Sequence, residues 1–440
     1  MPESSSPSAK VTTRLELIHL LSRAADLEHS LMCQYLFTAF TLKRPGDAGI
    51  SLDQARMTER WFGTIMHVAV EEMRHLAQVC NLLTAVGGAP LLRSAGFPRY
   101  ANSYTFGLEA KLAPFSLETI RRYVCWEKPE GAEEPACDQP IQLARLNPAG
   151  AAYYAHLADV MNLIPGDLPY RSIGELYTLI DTAFSTIPAR DLFIGPRSAQ
   201  VTNARVPFRE PLTAITAPDH AHRAIHLIVV EGEGTPSDKV DAHKDTSHFA
   251  RFLRMAAELE QELRRDPHFA PARPVIENPV YAFSYAIDAV VPGAHVITNG
   301  QARRISAIFT AAYDLTFQIL LRFFVQTDEN DQQQQILVDA ALSLMTGAIR
   351  PLGVMLTLLP AGDPTRGHYP GLCAGPSFEV YCQVQPIPHL HSAWMYFRER
   401  LEQIANQCQN LSLSSDQSSG LAAVAALLQY WAGKFFTSPE

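Results

Sequence analysis

WFGTIMHVAVEEMRHLAQVCNLLTAV, residues 61–86, returns an apolar side chain every three or four positions, at Trp61, Ile65, Val68, Leu76, Val79, Leu83 and Val86. That period predicts one long buried helix. Glu72 and His75 fall on the same stripe. Three residues apart, a carboxylate and an imidazole project side by side from a helix, so in a bundle interior they can grip one metal ion. Glu-x-x-His is short and common, however, and two hydrogen-bonded core groups would also account for it. The rest of the chain decides between these readings.

Upstream, a helix is expected from Thr12 or Thr13, a plausible cap, to about residue 42. Its stripe is Leu17, Leu20, Leu21, Ala24, Leu31, Met32 and Tyr35, and Glu28 lies in the middle of it. A carboxylate on a buried face is costly unless something pairs with it. His29 lies off the stripe and reads as a surface or supporting residue. Pro45, Gly46 and Gly49 turn the chain back, so the two helices are antiparallel neighbours and Glu28 can face Glu72 and His75.

Downstream, Gly87, Gly88 and Pro90 stop the long helix. Residues 91–169 lose periodicity except at 117–126 and read as a long crossover that could roof a site. The third helix opens at Tyr170. There Ser172 and Glu175 match a capping box, which leaves Glu175 open as either cap or metal ligand. The fourth helix, residues 219–230, brings Glu231 to the inner face near its end, level with Glu175 if the two helices are antiparallel. A second Glu-x-x-His fails, because Gly234 stands where the histidine would be. His248, in the first turn of the next helical pattern, can replace it. His226 and Glu233 are the alternatives, and Glu231 with His248 is the preferred set.

Five separated stretches, LEHSLMCQYLFTAF, VEEMRHLAQVCNLLTAVGGAP, YRSIGELY, IVVEGEGT and SHFARF, occur in an order that resembles the ferritin-like family associated with iminophenyl-pyruvate dimer synthases, the type found in violacein-pathway imine coupling. GLCAGPSFEV also looks like that family's C-terminal extension. The resemblance implies an all-α chain: a ferritin-like four-helix bundle with a metal site between the helices, long crossover inserts and additional C-terminal helices. Two departures stand out. LEHSLMC lacks the paired prolines usual after LEH, and Glu231 occupies a position where glutamine is common, which raises the claim of Glu233.

The organisation expected is a disordered tail at 1–10, the bundle at 11–260, a helical extension packed on it at 261–408, and a mobile linker with a terminal helix at 409–440. A net charge of −9, from 36 basic and 45 acidic residues among 440, argues against a general nucleic-acid or anionic-membrane surface. Seven cysteines without a Cys-x-x-Cys spacing indicate neither a disulfide framework nor a thiolate zinc site, and reduced thiols are expected. With no signal peptide and no continuous apolar run of spanning length, a cytoplasmic protein is expected.

Glu28, Glu72, His75, Glu175, Glu231 and His248 would together hold two iron ions, with manganese as the alternative metal and dioxygen as co-substrate. Tyr35, Leu31, Ile65, Val68 and Val79 are the candidate pocket for a small, largely apolar or aromatic substrate, with Arg171 or Arg223 as polar anchors. The class expected is a non-haem di-iron oxidase or oxygenase of specialised metabolism. Imine coupling and, in another class, metal storage are the alternatives. A homodimer and a reductase or other electron donor are the partners open to it.

Overall fold

The computed structural model describes residues 11–90, 92, 96–98, 109–129, 132, 137, 170, 172–206, 208–233, 247–281, 293–325, 328–363, 365, 367–380, 387–413 and 418–436. The expected tail at 1–10 and Arg171 lie outside these residues.

Helix α1, Arg14–Thr41, starts at a capping box in which Thr13 and Glu16 satisfy each other's backbone donors. Ser51 and Gln54 start α2, Leu52–Ala85, in the same way. Gly87, at φ +74°, lets the chain leave α2. Arg14, at the beginning of α1, donates to the carbonyl of Val86 at the end of α2, so the pair is antiparallel. Helix α3, Leu117–Trp126, lies in the crossover. Helices α4, Ile173–Thr186, and α5, Pro218–Gly232, complete the four-helix core, α4 against α1 and α5 against α2. His222 near the start of α5 meets Asp181 late in α4 at 2.6 Å, which makes these two antiparallel as well. Helix α6, His248–Arg265, packs on α3 and touches α2 and α5.

The extension adds a two-stranded parallel pair, β1 Pro279–Val280 with β2 His295–Val296. Helix α7 is Gly300–Val325, and α8 is Asp331–Leu356 with one π-helical turn at Met345–Ile349. Both pass a length-and-composition test for spanning a membrane. Of their most apolar windows, 72% and 50% respectively are buried inside the protein, as in core helices. Helix α8 lies close on α1 at Gly353, where an added Cβ would sit 2.6 Å from the Phe40 ring. Helices α9, Leu390–Ser412, and α10, Ser418–Ala432, pack on each other. Of the expected linker, residues 409–412 belong to α9 and residues 418–420 to α10.

Two expectations are corrected here. Cys125 and Cys137 form a disulfide, against the reading of wholly reduced thiols: the chain folds back after α3 and brings Cα atoms twelve residues apart in sequence to 5.7 Å. His29 is not a surface residue; it is 1% exposed, because α7 covers the face of α1 that a single-stripe reading leaves to solvent.

Candidate metal centre

Glu28 from α1 and Glu72 and His75 from α2 converge, with one donor atom of each within 4.8 Å of the others. Glu72, Glu127 and His248 form a second group by the same measure, so Glu72 is shared. The i, i+3 spacing of Glu72 and His75 brings Nδ1 of the imidazole to 3.1 Å from Oε2 of the carboxylate. Nδ1 also lies 3.5 Å from Glu28. His248 enters from the first turn of α6, fixed by Ser247, whose hydroxyl accepts from the Ala250 amide. Its Nδ1 stands 3.1 Å from Glu72 and 3.5 Å from Glu127.

The two histidines are supported alike. Nε2 of His75 is 3.1 Å from Glu231, which Arg74 holds by an ion pair. Nε2 of His248 is 3.2 Å from Glu71, which Arg251 holds in turn. A carboxylate on the outer nitrogen sets the ring and leaves Nδ1 turned to the centre, the arrangement that orients metal-binding imidazoles. Two tyrosines do the same for carboxylates: Tyr177 donates to Glu28 and Tyr35 to Glu127.

Electrostatics test whether a metal suits this set. Glu28, Glu72, Glu127 and Glu233 are each at most 3% exposed, against two imidazoles. Burial, followed by the nearby Glu28 charge, pushes the Glu72 carboxyl up to about 8. For His75 burial works against the imidazolium, but hydrogen bonds to Glu231, Glu28 and Glu72 outweigh it and raise the group to about 10. Oε1 of Glu72 and Nδ1 of His248 approach each other off the line of any hydrogen bond. A buried space with excess carboxylate and inward lone pairs suits a divalent cation. The space they enclose is about 10 Å³, the scale of an ion or one water.

The expected residues fall into three groups. Glu28, Glu72, His75 and His248 come together. Glu231 sits on the outer nitrogen of His75, and the alternative Glu233 lines the small space itself. Glu175 does not converge: it is half-buried, and its amide donates to the Ser172 hydroxyl at the helix start. His226 and Arg223 are exposed on the outer face of α5. Of the expected pocket, Leu31 lines the small space and Tyr35 serves Glu127. Ile65, Val68 and Val79 are fully buried core residues that line no described cavity, because the helices interdigitate there.

Glu127 and the Arg74 and Arg251 pairs were not foreseen. The signal for Glu127 was its place one residue past α3, an amphipathic helix whose Tyr123 and Trp126 are buried.

Gly174 is a further element of the site. A Cβ at this position would lie 2.8 Å from Oε1 of Glu233, so a larger residue there requires that carboxylate to shift. Gly174→Ala is expected to displace Glu233 at a cost of roughly 1–3 kcal/mol. Thermal melting together with metal content would show it; unchanged values would mean that Glu233 has space to move.

The model of the family described as Ferritin-like matches residues 21–257, more than half of the chain. The chain belongs to the ferritin-like family. Among curated ferritin-like relatives, it is 28% identical over 394 residues to a 2-imino-3-(indol-3-yl)propanoate dimerase from Chromobacterium violaceum, covering 83% of this chain and 34% of that protein. It is 25% identical over 449 residues to a dichlorochromopyrrolate synthase from Lentzea aerocolonigenes, covering 94% of this chain and 41% of that protein. The chain therefore spans well under half the length of either relative. A solved ferritin-like protein from Caulobacter vibrioides aligns over 78% of this chain and 99% of its own at 19% identity, with a TM-score of 0.45. By the family match, the architecture is a ferritin-like helical bundle, elaborated by inserts and by C-terminal helices.

Proposed function

We propose that this chain is a non-haem di-iron or di-manganese oxidase or oxygenase of specialised metabolism, using dioxygen on a small, largely apolar or aromatic substrate. The observation that carries the reading is the pair of buried donor groups that share Glu72. Glu28, Glu72 and His75 would hold one ion, and Glu72, Glu127 and His248 the other. Reduced iron held there would supply electrons for dioxygen reduction. The chain's own contribution is to orient the donors. Tyr177 holds the Glu28 oxygen turned away from His75, Tyr35 holds Glu127 through the oxygen that faces His248, and Arg74 with Glu231 and Arg251 with Glu71 fix the imidazoles. Leu31, Ile173 and Ile228 line the space beside them.

The two relatives' activities favour, as a second reading, oxidative coupling of an aromatic imine. Metal storage is the reading of another class, and the extension of helices beyond a compact bundle weighs against it.

The test is to load the protein with ferrous iron without oxygen, admit oxygen, and follow uptake and product mass across aromatic amino-acid-derived imines and lipophilic intermediates. Substrate-triggered uptake with one or two added oxygens would indicate an oxygenase. Hydrogen loss or a dimer mass would indicate oxidative coupling. Iron oxidation indifferent to every substrate and ending in mineral would defeat the proposal.

A further inference from the structure

A second space, about 150 Å³, opens between α1, α2, α7 and α8, roughly a quarter-turn around α1 and α2 from the carboxylates. Met32, Leu36, Met66, Met73, Phe317 and Phe324 are among the side chains that line it. Its lining includes a buried polar pair, His29 and Tyr313, with Nε2 of the imidazole 2.7 Å from the phenol oxygen, besides Thr316 and, exposed, Thr346 and Arg350. Cys33 touches the same oxygen at 3.1 Å. Edge-on contacts with Phe317 and Phe378, at ring separations of 4.8 and 5.3 Å, hold the Tyr313 ring in place. At the mouth stand Val70, 40% exposed, and the exposed Thr346. None of these side chains takes part in the proposed metal centre.

An apolar space of this order admits a single aromatic ring. Thioethers adapt to such a ring and favour its edge and face. A phenol oxygen has two lone pairs and one proton, so Tyr313, engaged with His29 and Cys33, keeps one position for a guest. We propose that this cavity is a binding site for a small neutral aromatic molecule, its ring against the methionines and phenylalanines and its one hydrogen-bonding group on the His29–Tyr313 pair. The site lies apart from the metal centre, and its occupancy can be measured without metal.

Phenol and toluene, matched in size and differing in the polar group, are the probes, titrated into the full-length protein by calorimetry and ligand-observed NMR. Both should bind saturably, phenol tighter by about fivefold or more, the worth of one net hydrogen bond. Tyr313→Phe should reduce the preference for phenol. Val70→Trp, at an exposed mouth position where the fold does not depend on the side chain, should weaken both by about tenfold or more by blocking entry. If Tyr313→Phe does not fold, Thr346→Trp at the same mouth takes its place alongside Val70→Trp. Absence of saturable binding, equal affinity for the two probes in the parent protein, or binding indifferent to the mouth variants would overturn the proposal.

Discussion

Glu72→Gln is expected to empty both metal positions, whereas Glu127→Gln empties one. The difference follows from geometry: Glu72 belongs to both donor groups and Glu127 to one. After anaerobic ferrous loading, metal analysis should fall from about two ions per chain to near zero in the first variant and to about one in the second. Equal losses would mean that the two groups are not separate positions. The metal-free protein should respond in the opposite sense. Its Glu72 is raised from 4.5 to about 8, so keeping that carboxyl folded at pH 7 costs on the order of 3 kcal/mol, which the neutral amide avoids. Glu72→Gln should therefore melt higher than the parent when both are metal-free, and lower when both are loaded.

The second large effect is an inversion of pH dependence between the two forms. In the metal-free protein His75 is raised from 6.5 to about 10, so the stability it contributes is complete below pH 6.5 and is lost as pH rises towards 10. Glu72 acts in the same direction, its cost growing between 4.5 and about 8. On the acid side burial opposes the Glu71 charge, but His248 and Arg251 hold its carboxyl down to about 2, so that contribution is lost below 4.5. The metal-free melting temperature should thus be highest near pH 5–6 and fall towards pH 9. With metal bound the slope reverses over the same range, because ligands must shed protons to bind and a rising pH strengthens binding. Melting curves at pH 6 and pH 9, with and without ferrous or manganous ion, would show the crossing. Parallel curves would contradict a metal held by His75 and Glu72.

The bundle was legible because α1 and α2 carry both kinds of local signal, caps at Thr13 and Ser51 and a continuous apolar period with Glu28, Glu72 and His75 on it. His248 was legible as the histidine delivered where Glu-x-x-His fails at Gly234. Glu127 was not, since it comes after a ten-residue helix inside an irregular crossover, where spacing says nothing about the surface the chain folds against. Glu71 sits about 100° around α2 from Glu72, off the apolar stripe. It is made relevant by Arg251 and His248, contacts 180 and 177 positions along the chain that no local pattern reveals. His29 was misread for a different reason: a one-stripe analysis assumes one buried face, and α1 has two. Ile65, Val68 and Val79 line neither described space because apolar periodicity reports burial, and burial in a filled core is the opposite of a space for a ligand.

That double burial of α1 constrains how the protein can diverge. Glu28, Leu31 and Tyr35 serve the carboxylate side, while His29, Met32 and Leu36 serve the apolar cavity, so the two sets alternate along a single stretch. An inserted or deleted residue between positions 28 and 36 would rotate every later side chain of the helix by about 100° and ruin both spaces together. Homologous sequences can therefore lose either space by substitution, but a length change in this segment should be absent from any descendant that keeps even one of them.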